Sequence, residues 1–138
     1  MVTPVIMKRV SRVRLVCSLM FALIVASCGR EPMGVMPAKT WEDITIQVET
    51  RPPLLEKGMN EFLVIATKLD RRPAHNLLVS LRINEDGQWH QAIQDGEVGV
   101  YRRAINTAMP KTDVLFVRIA RDNREGIFEF PLAEQKPR

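Results

Sequence analysis

The feature that most constrains this chain is a series of short apolar and polar alternations with period two, cut at intervals by residues that stop or turn a strand. Ile44, Ile46 and Val48 alternate with Thr45, Gln47 and Glu49, the pattern of a half-buried strand. Arg51-Pro52-Pro53 ends it, because proline offers no N–H to a ladder. Asn60 to Leu69 is apolar on both faces (Phe62 and Val64 against Leu63 and Ile65), so a central strand is expected there. Leu77 to Asn84 places Leu77, Val79, Leu81 and Ile83 on one face and Ser80, Arg82 and Asn84 on the other. Asp86-Gly87 is a hairpin signal, and Gln88 to Gln94 reads as a short edge strand. Gly99 to Thr107, Asp113 to Ala120 and Ile127 to Phe130 complete the set.

No stretch of this region repeats with helical period. An all-β fold follows: an antiparallel β-sandwich of immunoglobulin-like type with about seven strands, spanning residues 40–132 and followed by a charged, frayed tail at 133–138. The buried Cys-Trp-Cys set of antibody domains is absent, so the expected likeness is one of architecture.

The first 28 residues are of another kind. Lys8, Arg9, Arg12 and Arg14 form a cationic cluster starting at Met7, itself a candidate initiator in place of Met1. Leu15 to Ala26 is an apolar run of about a dozen residues, short of the roughly 20 that cross a bilayer comfortably. It ends in Val25-Ala26-Ser27-Cys28. This segment resembles the bacterial lipoprotein signal, in which an aliphatic residue and two small ones precede an invariant cysteine. The resemblance implies cleavage after residue 27 and lipidation of Cys28 by a diacylglycerol thioether and an N-acyl chain such as palmitate. It also implies a periplasm-facing location, with Gly29 directing the protein to the outer membrane in preference to the inner. Two or more acyl chains suffice for stable attachment. Residues 28–39, with Gly29, Pro32, Gly34 and Pro37, read as a flexible tether between the lipid and the domain.

Charge and cysteine usage fit that division. Of 20 basic residues, the four in the cationic cluster would leave with the signal, so the net charge of +4 vanishes and the mature part is neutral. A nucleic-acid partner is therefore not expected. Cys17 would leave as well, and Cys28, the one remaining cysteine, is consumed by lipid, so no disulfide forms.

From Pro53 to Leu132 the chain resembles the FixH-like and YtkA-like group of small exported β domains. The likeness rests on Gly58-x-Asn60-x-Phe62, Leu77-x-Val79-x-Leu81, Gly99-Val100-Tyr101 and Ile127-Phe128-Glu129-Phe130. It implies a copper-handling accessory role in respiratory oxidase assembly. The chain departs from the FixH pattern in carrying a lipid signal in place of a transmembrane helix, and in lacking a cysteine pair.

Candidate chemistry is sparse. Met33, Met36, His75 and His90 are the soft and borderline ligands that copper would use, with incidental tether methionines and surface histidines as the alternative. Glu85-Asp86 and Asp95-x-Glu97 are paired carboxylates that would suit Ca²⁺ if their turns lie at one end of the sandwich. Arg102, Arg103, Arg118 and Arg121 form a patch for an anionic partner if the strands that carry them are neighbours; the alternative is a solvated face of mixed charge. No Gly-x-Ser-x-Gly elbow occurs, and Ser80 is the mature part's only serine, so no enzymatic activity and no cofactor are expected. The expected function is that of a lipid-anchored, non-enzymatic interaction or assembly module, bound to the membrane through its lipid and to an envelope protein partner. Copper handling is the alternative.

Overall fold

The structure, a computed structural model, describes residues 33–138. The signal segment, Cys28 and residues 28–32 of the expected tether lie outside the described residues. The strands are β1 (Gly34–Val35), β2 (Lys39–Trp41), β3 (Ile44–Arg51), β4 (Gly58–Lys68), β5 (Leu78–Ile83), β6 (His90–Gln91), β7 (Ile93–Gln94), β8 (Val100–Thr107), β9 (Val114–Arg121), β10 (Arg124–Pro131) and β11 (Lys136–Pro137). They form two antiparallel sheets. One has the order β11-β1-β3-β4-β8-β7, with β2 also on β3, and the other the order β10-β9-β5-β6.

The alternation read from the sequence is the alternation that builds the core. Ile44, Ile46 and Val48 of β3, Phe62, Val64 and Ala66 of β4, and Tyr101 and Ile105 of β8 form the inner face of the larger sheet. Val79 and Leu81 of β5, Leu115, Val117 and Ile119 of β9, and Phe130 of β10 form that of the smaller. All belong to one cluster, so the sheets pack face to face as a sandwich. Fully burying one such side chain contributes about 1.5–3 kcal/mol. As expected, β4 is central, paired with β3 on one side and β8 on the other.

Tyr101 carries a polar group into this core. Its hydroxyl accepts from the Leu77 N–H at 3.2 Å and donates to the Ala74 carbonyl at 3.1 Å. The ring thereby holds the crossover from β4 to β5 against the larger sheet. Burial pushes the phenol above its usual pKa, partly opposed by the Leu77 hydrogen bond.

Two expectations are corrected at the margins of the domain. Residues 34–39, expected in a flexible tether, line one edge of β3: Gly34 stands opposite Thr50, Val35 opposite Glu49, and Lys39 opposite Ile46. Between them Met36 is buried, and its N–H donates to the Val48 carbonyl at 2.9 Å. A Cβ at Gly34 would run into Gln135, the Pro53 carbonyl and Thr50, so close packing selects glycine here. The tail is ordered for the matching reason. β11 pairs with β1, and the Gln135 side chain donates to Thr50 Oγ1 and accepts from the Leu55 N–H at 3.2 Å. Two-residue strands broken by proline leave no periodicity to read.

The expected fourth strand is also different. It divides at the buried Ala92: β6 pairs with β5 in the smaller sheet, and β7 pairs with β8 in the larger. One short segment therefore edges both sheets on the same side of the sandwich. On the other side, Trp41 of β2 lies against Gly126 of β10, where a Cβ would meet the indole at 2.9 Å.

Candidate functional site

The four expected arginines do not form one patch. β8 and β9 are not neighbours; they belong to opposite sheets, which separates Arg102 and Arg103 from Arg118 and Arg121. Arg102 lies 3.8 Å from Asp95, and with Arg103, Glu61, Ile93 and Ala104 it lines an open concavity of about 370 Å³ on the larger sheet. Arg121 is engaged in ion pairs with Asp43 at 2.6 Å and Glu42 at 2.9 Å, and Arg124 adds a second contact to Glu42 at 2.9 Å. The hydrogen bond from Arg121 holds the Asp43 carboxyl below its ordinary pKa, and that contact in turn raises Arg121. Arg121 is thus committed to fastening the β2–β3 turn to β9.

Arg118 has different surroundings. On β9, Val117 and Ile119 face the core, so Arg118 and Phe116 project from the outer face of the smaller sheet. By the same alternation Arg82 projects outward from β5, where it stands opposite Phe116. His90 pairs with Leu81, which brings the preceding Trp89 level with Arg82. The guanidinium carbons of Arg82 and Arg118 each lie 4.5 Å from the Trp89 ring centroid, and that of Arg82 lies 5.0 Å from Phe116.

The turn before Trp89 is built to hold it there. Asn84, with φ of 59°, accepts from the Val114 N–H at 2.9 Å and donates to Asp113 at 3.0 Å. Asp113, itself buried, accepts from the Met109 N–H at 2.8 Å. The turn that projects Trp89 is therefore tied to the start of β9, which carries Phe116 and Arg118.

Neither Arg82 nor Arg118 has a carboxylate within 4.0 Å among the described residues, and Nε of Arg82 is buried without a hydrogen-bond partner. Glu125 and Glu129 of β10 face the same side, diagonal to Arg118, but do not reach it. Leu78 and Ile127, both about half exposed, complete the face. An indole in contact with two guanidiniums, with apolar side chains around it, has the composition of a protein-binding hot spot. No family model, curated protein or solved structure matches the chain.

The other candidates are dispersed. Met33 and Met36 lie at the β11–β1 edge of the larger sheet, with the Met33 carbonyl accepting from the Arg138 N–H at 2.9 Å and Met36 inside the core. His90 lies on β6, at the far edge of the smaller sheet, and His75 is exposed in the β4–β5 crossover. The topology keeps the copper-ligand set apart. It also separates the two acidic turns, against the expectation that they share one end. Glu85-Asp86 follows the end of β5 beside the start of β9, whereas Asp95 and Glu97 lie at the opposite end, before β8.

Sequence reasoning placed Arg82 on the outer face of its strand but missed its union with Trp89. Their proximity depends on the register of β6 against β5 and of β5 against β9. The available signal was a tryptophan directly after a hairpin turn, where it lies across the outward residues of the preceding strand.

Proposed function

We propose that this chain is a lipid-anchored periplasmic protein, attached through Cys28 and preferentially to the outer membrane, whose immunoglobulin-like sandwich acts as a non-enzymatic interaction or assembly module. The observation that carries the reading is Trp89 in contact with both Arg82 and Arg118, neither of which has a carboxylate within 4.0 Å among the described residues. Tryptophan and arginine dominate binding hot spots because one side chain supplies a large rigid apolar area and the other a planar fork of donors. The partner implied is an envelope protein that offers carboxylates beside apolar side chains.

A copper-handling accessory role, the implication of the FixH-like and YtkA-like resemblance, would need Met33, Met36, His75 and His90 to converge. Their dispersal over two edges and a crossover loop favours the interaction reading.

Fractionation of cells making the wild type and a Cys28→Ser variant tests the anchor. The wild type should enter the detergent-extracted membrane fraction, and the variant should appear as a soluble or unprocessed form. Equal membrane attachment of both, with no difference in mobility, would overturn the lipid anchor. In-cell crosslinking of the wild type and an Arg82→Gln/Arg118→Gln variant tests the binding face. A crosslinked partner should be lost from the variant, and its retention would overturn the assignment of that face.

A further inference from the structure

The described domain begins much closer to Cys28 than a tether ending at residue 39 would allow. Gly34 is already fixed between Thr50 and Pro137. Five residues separate it from Cys28, and the six steps from Cα to Cα span at most about 20 Å at roughly 3.3–3.6 Å each. The chain enters β1 toward the end of the sandwich where β3 finishes, β4 starts and β8 finishes. Gly34 lies level with Phe62, four residues above the Gly58 start of β4, which is about 13 Å at 3.3 Å per residue. Most of the available reach is therefore used up in passing the end of the domain.

That end exposes three large apolar side chains. Leu54 in the β3–β4 loop is 62% exposed, Met59 at the start of β4 66%, and Met109 in the β8–β9 loop 63%. We infer, resting on the lipid anchor at Cys28, that this end of the sandwich is a membrane-contact surface, with Leu54, Met59 and Met109 seated in the headgroup layer of the bilayer that holds the lipid. Basic and acidic residues both occur there, Lys57, Lys111 and Lys136 among the one and Glu56, Glu85, Asp86 and Glu134 among the other. Contact therefore rests on apolar insertion and a short tether, without need of net positive charge. The opposite end, which exposes Leu69 and Val98, faces away from the membrane. The outer face of the smaller sheet, with Trp89, then stands upright and open to a partner.

The mature chain offers a clean test, since Cys28 is its only cysteine and is blocked by lipid. Leu54→Cys, Met59→Cys, Met109→Cys and Val98→Cys variants of the full chain are purified from membranes and labelled with an environment-sensitive fluorophore. They are then placed in phosphatidylethanolamine/phosphatidylglycerol vesicles containing spin-labelled lipid. All four sites are exposed, so the substitutions leave the core intact. Labels at 54, 59 and 109 should shift to the blue and lose at least about half their emission, as expected for groups at the headgroup boundary, while the label at 98 stays unchanged. Flotation of the protein with the vesicles and equal or absent quenching at all four sites would overturn the inference while leaving the anchor in place. Equal flotation of a Cys28→Ser variant of unchanged mobility would overturn the anchor on which the inference rests.

Discussion

The guanidinium carbon of Arg118 stands 4.5 Å from the centre of the Trp89 ring, and Arg82 occupies a matching position at the same distance. Each half-exposed contact of this kind contributes about 0.5–1 kcal/mol. Trp89→Ala should therefore lower stability by about 1–2 kcal/mol in urea unfolding. A double-mutant cycle with Arg118→Ala should return a coupling of about 0.5–1 kcal/mol, and a coupling of zero would show that the stacking is geometric only.

Tyr101→Phe keeps the ring and removes the hydroxyl, leaving the Leu77 N–H and the Ala74 carbonyl without their partner. A loss of about 1–3 kcal/mol is expected. The same residue governs alkaline behaviour. Its native pKa is raised above the unfolded value of about 10, so its contribution is complete below pH 10 and is lost as pH climbs through the native value. The urea midpoint of the wild type should fall above pH 10, and that of Tyr101→Phe should fall less.

The acid limb should report the Arg121–Asp43 pair. The native pKa of Asp43 is depressed, so the pair stabilises above the unfolded value of about 3.9 and that stability disappears as pH falls through the native value. Arg121→Gln should be less stable than wild type at pH 6, and the difference should shrink toward pH 2 in urea titrations.

Because Met36 is buried and residues 34–41 edge β3, a chain beginning at Met33 should fold cooperatively. One beginning at Glu42 should lose several kcal/mol, since removing a buried methionine side chain alone costs about 2–5. Equal midpoints for the two chains would place this edge outside the folding unit.

The large elements were legible because they obey one rule. Wherever alternation ran for five residues or more, as in Ile44–Val48 or Leu77–Ile83, the inward set is the observed core. What escaped were features set by neighbours in space. Gly34 and Val35 are strand residues only because Thr50 and Glu49 lie beside them. Ala92 changes sheets because β5 and β8 flank it from two directions. The candidate site failed in the same way: four arginines grouped by sequence proved to lie on two sheets, while Arg82 and Trp89 were joined by register alone.

The central claim is that the outer face of the smaller sheet is the binding surface of an anchored module. Its most direct test is in-cell photo-crosslinking from a probe at the exposed Gln91, beside Trp89, compared with a probe at Ala104 on the larger sheet. The account predicts a discrete adduct from position 91 that disappears in the Arg82→Gln/Arg118→Gln background, and none from position 104. An adduct at 91 that survives those substitutions, or adducts from 104 alone, would contradict it.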